Sequence, residues 1–218
     1  MRRYKKHKGK VGIKTTTLKE DEMFTRLRIW QISAIILVGL LGTVMANDGE
    51  TVLNIGDKAP DINLNDQDGN LWRLKDYLGK SDIVIYFYPA AMSSGCTKQA
   101  CSYRDSKNAL EDLNVVVVGI SGDAVSGLKF FQEANHLNFS LLSDVSSSTA
   151  KSYGVPIREG GSLVQKINGK EVTLKHSYTL SRWTFIIDKS GKIVYKDKDV
   201  NPVEDSQNIV KFLKSTEG

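Results

Sequence analysis

The run Asp82-Ile83-Val84-Ile85-Tyr86-Phe87-Tyr88 leaves this chain few choices of fold. After Asp82 it shows no polar alternation, and a strand of that kind needs an apolar layer on each face. Val115-Val116-Val117-Val118-Gly119-Ile120 repeats the pattern. Between the two, Thr97 to Leu113 suits a helix, with Ala100, Tyr103, Ala109, Leu110 and Leu113 on one side to cover a sheet. Ala124 to Asn135 is a second helical stretch, Phe139 to Leu142 a third short strand, and Ser146 to Tyr153 a short helix. Strand, helix, strand, helix, strand predicts an α/β domain with right-handed crossovers.

The flanking segments pair locally. Ile62 to Asn65 alternates, Asp66-Gln67-Asp68-Gly69 turns, and Leu71 to Leu74 returns, which predicts an N-terminal β-hairpin. Asn168-Gly169 stands between Leu163 to Ile167 and Glu171 to Leu174, the signal of an inserted hairpin close to the site. Arg182 to Asp188 and Ile193 to Tyr195 flank the turn Lys189 to Lys192, and a helix from about Val203 to Leu213 closes the chain.

With 218 residues the chain has room for one domain with a proper core. Its formal charge of +5 is misleading about partners, because the charge is unevenly placed. Residues 1–28 hold ten Lys or Arg against three acidic residues, residues 29–46 hold no charge, and residues 47–218 carry 20 basic against 22 acidic side chains. A body so near neutrality lacks the electrostatic footprint of a nucleic-acid binder. The basic flank, the apolar run Ile29 to Ala46 and the small-residue ending Val44-Met45-Ala46 predict a signal peptide cleaved after Ala46, with an uncleaved membrane anchor as the alternative. Met23 begins a segment of ordinary signal length, so residues 1–22 are expected to be a basic extension outside the translated protein. The expected division is thus 1–22 extension, 23–46 signal or anchor, 47–51 linker and 52–218 folded domain, in an exported protein that meets a membrane only through an uncleaved residue 29–46 segment.

Both cysteines, Cys96 and Cys101, lie in Pro89-Ala90-Ala91-Met92-Ser93-Ser94-Gly95-Cys96-Thr97-Lys98-Gln99-Ala100-Cys101, where the buried strand gives way to a helix. A free cysteine titrates near about 8.5, and a helix N-terminus with a nearby arginine favours its thiolate. Cys96 is placed near the start of the helix, where unpaired N–H groups and the dipole attract an anion. Ser93 can turn its hydroxyl toward the sulfur or a bound oxygen, and Pro89 brings no competing N–H. Cys101, five residues on, would sit about 7.5 Å along the axis and about 500° around it. Disulfide geometry cannot bridge that, so bonding the pair requires the helical turn to unwind. A structural disulfide would close only a small loop here and add little stability. Cys-x4-Cys is an unusual metal-ligand spacing with no histidine near it in sequence, and no metal or cofactor is expected. His136 and His176 read as surface or loop residues.

Pro89, Ser93 and Cys96 resemble the Pro-x-x-x-Thr/Ser-x-x-Cys motif of the peroxiredoxins. Cys-Thr-Lys-Gln-Ala-Cys with Tyr103-Arg104-Asp105 is similar to the bacterioferritin-comigratory-protein or Q-type branch, as are Gly56 to Asp61 and Tyr153-Gly154-Val155-Pro156. Arg182, ahead of Trp183 to Asp188, matches the family's active-site arginine. The resemblance covers roughly residues 52 to 215. It implies a thioredoxin-like fold: a central mixed β-sheet flanked by helices, with an N-terminal β-hairpin. It implies a peroxidase in which Cys96 attacks a hydroperoxide and becomes a sulfenic acid, Ser93 and Arg182 bind the peroxide, Pro89 shields the sulfur, and Cys101 resolves the sulfenic acid as a disulfide. A thioredoxin-like protein would be the reductant, and the enzyme would act as a monomer or weak homodimer. The chain departs from the pattern at Ser93, where Thr is commoner, at Ala90 to Met92 and Ser94, and in a longer stretch from Gly160 to Lys175.

Two other readings compete. An exported thiol-disulfide oxidoreductase of the cytochrome-maturation type would resemble its kind through Trp-Cys-x-x-Cys, which is absent here. A copper-handling thioredoxin-like protein would need Cys-x-x-x-Cys and a distant histidine.

Overall fold

The computed structural model describes residues 52–167 and 170–216. The segments expected to be an extension, a signal and a linker, residues 1–51, lie outside them. The chain runs β1 (Asn63–Asp66), β2 (Leu71–Arg73), a 3-10 turn (Leu74–Asp76), β3 (Asp82–Phe87), α1 (Ser94–Asp105), α2 (Lys107–Asp112), β4 (Val115–Ser121) and α3 (Val125–Asn135). It continues through β5 (Ser140–Ser143), α4 (Ser148–Ser152), β6 (Ile157–Ile167), β7 (Lys170–Leu180), β8 (Trp183–Ile187), β9 (Ile193–Asp197) and α5 (Asp205–Thr216).

Seven strands form one mixed sheet in the order β2-β1-β5-β4-β3-β8-β9. β3, β4 and β5 are parallel neighbours. β8 and β1 join them antiparallel on either side. The position of β3 follows from its residues. Ile83, Ile85 and Phe87 pack into one apolar layer while Val84, Tyr86 and Tyr88 pack into the other, and all six are fully buried. Each such side chain contributes about 1.5–3 kcal/mol relative to exposure, which no edge position could supply. The second layer is made by α1, α2, α3 and α5, through Ala100, Tyr103, Leu110, Phe131, Ile209 and Leu213. Cys96 belongs to this layer.

The expected α/β architecture with its N-terminal hairpin is present, with two changes of detail. The single helix expected over Thr97 to Leu113 begins earlier, at Ser94, and breaks at Ser106, which ends α1 and starts α2. There the Ser106 hydroxyl bonds the Ser206 hydroxyl of α5 at 3.0 Å, which ties the junction of the two helices to the C-terminal helix. The inserted hairpin, β6 and β7, is a separate two-stranded ribbon with 11-residue arms, longer than the sequence pattern indicated. Its turn at 168–169 lies outside the described residues.

Candidate active site

β3 delivers the chain to Tyr88, Pro89 then ends the strand, and the loop Ala90 to Ser93 turns into α1. Ser93 is the residue capping that helix, with extended backbone angles (φ −68°, ψ 148°), and its carbonyl accepts the Thr97 N–H at 2.8 Å. Cys96 is therefore the third residue of α1, inside the turn whose N–H groups have no intrahelical acceptor. No acidic residue occupies that first turn, so no side chain competes with an anionic sulfur for the positive end of the helix. Cys96 is 1% exposed. Cys101, on the same helix, is half-buried, and both are free thiols.

Arg182, the residue before β8, reaches across to the helix. Its Nη2 donates to Cys96 Sγ at 3.4 Å. Gly95 permits this approach, since a Cβ there would lie 3.3 Å from Nη2. The other side of the guanidinium donates to the side-chain oxygen of Gln99. Gln99 Nε2 in turn donates to Asp205 Oδ2 at 2.7 Å, and the same oxygen accepts from the Tyr103 hydroxyl at 2.7 Å and from Thr184 Oγ1 at 2.9 Å. A neutral amide thus stands between arginine and carboxylate. It orients the guanidinium without pairing it directly to a negative charge, and so leaves its charge directed at the sulfur.

Burial, opposed by the bonds from Gln99, Tyr103 and Thr184, raises the Asp205 carboxyl above its ordinary value. Tyr86 belongs to the same apolar layer as Cys96 and is stacked on Tyr103 with ring centroids 4.9 Å apart. Burial, with the nearby charges of Cys96 and Asp205, pushes its phenol well above the usual range, so it remains a neutral hydroxyl.

The loop side is built differently. Ser93 Oγ donates to the Ala90 carbonyl at 3.1 Å rather than to the sulfur. Ala91 is buried and its N–H donates to Asp123 Oδ2 at 2.9 Å. Met92 adopts a left-handed conformation (φ 65°), which tightens the loop. Pro89 and Arg182 border a cleft of about 290 Å³, lined also by Leu180, Trp183, Lys198 and Asp199.

The structure thus puts Arg182 against the Cys96 sulfur, Ser93 at the cap of the same helix, Pro89 in the cleft that Arg182 also lines, and Cys101 farther along the helix. It also corrects one expectation, since His176 is buried rather than superficial. Its Nδ1 lies 2.5 Å from Asp123 Oδ1. Sequence reasoning missed Gln99 and Asp205 for want of any local signal. For His176 a signal existed: Leu174, His176, Tyr178 and Leu180 share the inward face of β7 while Thr173, Lys175 and Ser177 face out.

A mixed sheet with a thiol in the first turn of a helix and a guanidinium against its sulfur defines a thioredoxin-like thiol enzyme. The AhpC/TSA family model matches residues 55–196. Peroxiredoxin Bcp of Bacillus subtilis is 35% identical over 162 residues, covering 74% of this chain and 96% of its own length. The chloroplastic peroxiredoxin Q of Populus jackii is 36% identical over 165 residues, covering 75% of this chain and 69% of its own. The crystal structure of peroxidoxin BcpB from Mycobacterium tuberculosis matches with a TM-score of 0.63 at 30% identity, over 75% of this chain and 98% of that one. The chain belongs to the AhpC/TSA family, in its Bcp and peroxiredoxin Q branch.

These relatives overturn the expectation of an exported enzyme. The peroxiredoxin Q of Populus jackii is a chloroplastic protein, placed in an organelle and not outside the cell. Among the described residues no helix is long and apolar enough to cross a membrane. Residues 29–46, on which the expectation rested, lie outside the described residues. An apolar run with a basic flank reports affinity for an apolar phase, and that property alone does not name a destination.

Proposed function

We propose that this protein is a thiol-dependent peroxidase acting on hydrogen peroxide or organic hydroperoxides, with Cys96 as the attacking thiolate. The observation that carries the reading is the contact of 3.4 Å between Arg182 Nη2 and Cys96 Sγ in the first turn of α1. Guanidinium and helix N–H groups together favour sulfur in its anionic form. The thiolate attacks the distal oxygen of the hydroperoxide, an S–O bond forms as the O–O bond breaks, and the alkoxide or hydroxide leaves and takes up a proton. Arg182 stabilises the charge that grows on the oxygens, the service rendered by oxyanion-type donors. Ser93, whose hydroxyl donates to the Ala90 carbonyl, turns its oxygen lone pairs to the bound hydroperoxide and accepts from the peroxide O–H. Pro89, in the cleft that Arg182 also lines, takes the role of shielding the sulfenic acid.

Cys101 then attacks the Cys96 sulfenic acid, forming an S–S bond and expelling water. The intact helix α1 keeps the two cysteines apart, so this step requires its first turns to open. A thioredoxin-type dithiol reduces the disulfide and the helix rewinds. The enzyme is read as a monomer or weak homodimer, with residues 52–218 as the catalytic domain. The family match over residues 55–196 falls within that span. Copper handling is disfavoured by the Cys-x4-Cys spacing, one residue longer than the Cys-x-x-x-Cys that such proteins share.

The experiment is peroxide consumption by reduced protein, followed by mass spectrometry after one equivalent. The expected result is loss of two hydrogens with a Cys96 to Cys101 link, and no consumption by Cys96→Ser. Full turnover by Cys96→Ser would refute the assignment, and disulfide reduction of insulin outpacing peroxide consumption would restore the oxidoreductase reading.

A further inference from the structure

We propose that the β6–β7 hairpin positions the peroxide-handling loop, with His176 acting through Asp123, and Gln165 beside it, to fix the peptide units that aim Ser93. The inference rests on the reading of Cys96 and Ser93 given above and assigns a role to the long hairpin that this reading leaves unused.

The connection is a continuous series of hydrogen bonds. His176 Nδ1–H, on β7, donates to Asp123 Oδ1 at 2.5 Å. Asp123 Oδ2 accepts the Ala91 N–H at 2.9 Å and the Ser121 hydroxyl at 2.7 Å. The Ala91 N–H and the Ala90 carbonyl belong to one planar peptide unit. That carbonyl accepts Ser93 Oγ at 3.1 Å and the Ser93 N–H at 3.4 Å. Fixing the N–H edge of this plane therefore fixes the oxygen from which Ser93 takes its direction. A second grip acts on the next turn of the loop, where Gln165 Nε2, on β6, donates to the Met92 carbonyl at 3.3 Å.

The series is dry and tightly seated. The side chains of His176 and Asp123 are 4% and 3% exposed. His176 Nε2 is buried with no partner among the described residues, so its polar anchorage there is the bond to Asp123. The hairpin docks where Gly122, next to Asp123, lets β7 come close: a Cβ on Gly122 would stand 2.7 Å from the Tyr178 ring and 2.8 Å from its carbonyl oxygen. The Tyr178 hydroxyl also donates to the Asp144 carbonyl. Without the imidazole, Asp123 Oδ1 would be a buried acceptor with no donor. The carboxylate would then turn or admit water, and its hold on Ala91 would loosen.

Positioning makes a prediction that simple structural support does not. Sulfenic acid formation needs Ser93 aimed at the peroxide, whereas alkylation of Cys96 by iodoacetamide makes no use of the Ser93 hydroxyl. The test measures both rates by stopped flow on the full chain for the wild type and for His176→Leu, His176→Asn, Gln165→Ala, Ser93→Ala and the double variant Ser93→Ala/His176→Leu. His176→Leu should slow the peroxide reaction by about tenfold or more, the scale of small misplacements at a reacting centre, and leave alkylation within about twofold. His176→Asn should recover most of the loss, since its amide N–H can stand where Nδ1 stands. Gln165→Ala should slow the peroxide step by a few-fold without changing alkylation. The double variant should be no slower than Ser93→Ala, because residues acting through one group do not add.

Wild-type peroxide rates in both His176→Leu and Gln165→Ala overturn the proposal. So does His176→Asn as slow as His176→Leu, a parallel fall of both rates, or additive effects in the double variant. If His176→Leu does not fold, His176→Asn and Gln165→Ala decide: near-normal and few-fold slower, respectively, support the clamp, and equal rates at the wild-type value overturn it. Peroxide consumption that survives Cys96→Ser would be a failure of the proposed function and not of the clamp.

Discussion

Cys96 is held between two arrangements of different origin. On the arginine side, Arg182 leads into β8, Gln99 lies on α1 and Asp205 opens α5, so every member belongs to elements that the central sheet requires anyway. On the loop side, Asp123, just past the end of β4, holds Ala91, while from an appended ribbon Gln165 holds Met92 and His176 holds Asp123. The first arrangement supplies charge and the second supplies direction. Charge can be delivered by any packed core that brings a guanidinium close, but the aim of one hydroxyl depends on holding a short loop that has no regular structure of its own. The two should therefore fail separately.

The sharpest way to separate them is Arg182→Leu, which removes the donor and the charge together. The second-order rate of Cys96 with peroxide should fall by roughly a hundredfold, as when one donor to a developing oxyanion is lost. Stopped-flow fluorescence, with Trp183 adjacent as reporter, would measure it, and a loss below about threefold would place the charge elsewhere. Next in size is Cys101→Ser. Peroxide consumption should stop after the first equivalent with a thioredoxin-type reductant, while the wild type continues, and hydrogen exchange should show α1 opening on oxidation only when Cys101 is present. Continued turnover by Cys101→Ser would remove that residue from the resolving role.

Gln99→Leu cuts the neutral bridge. It should slow the peroxide step by about tenfold through a freer guanidinium, and cost about 1–3 kcal/mol of stability because buried Asp205 loses a donor. Urea titration beside the rate measurement tests both. Asp205 adds a pH dependence. Because burial raises its folded value above 3.8, the folded protein binds this proton more tightly than the unfolded chain does. Its contribution to stability is fully present below 3.8 and is lost as the pH rises through the folded value. Asp205→Asn, which keeps an acceptor without the charge, should match the wild type at the acid end and gain on it with rising pH. A constant difference across the range would show that Asp205 does not titrate in this way. The smallest effect belongs to Ser93→Thr: the hydroxyl is kept and the added methyl restricts its rotamer, so the rate should stay within about threefold.

How much of this was legible depended on the range of the interaction. The two apolar runs placed β3 and β4 in a covered sheet, and the spacing of Pro89, Ser93 and Cys96 placed the thiol at a helix start. The helix began three residues earlier than its composition indicated, because Ser94 and Gly95 are poor helix formers that tertiary context carries into the first turn. That shift puts Cys96 within the turn that binds anions. The junction at Ser106 was invisible in sequence, and its contact with the Ser206 hydroxyl on α5 joins residues a hundred positions apart. The hairpin was legible at Asn168-Gly169, but its arms extend to Ile157 and Leu180 because β7 also packs against Gly122.

By itself the sequence determined the α/β class, the location of the reactive thiol and the need for α1 to open if Cys96 and Cys101 are to bond. These follow from short-range rules of strand burial, helix geometry and bond length, which act within a few residues. Only the tertiary structure decided what surrounds the sulfur. Gln99 meets Asp205 and His176 meets Asp123 across stretches of chain that no local pattern connects. Buried polar groups must find partners wherever the fold brings donors and acceptors together, and that pairing exists only once the sheet has closed.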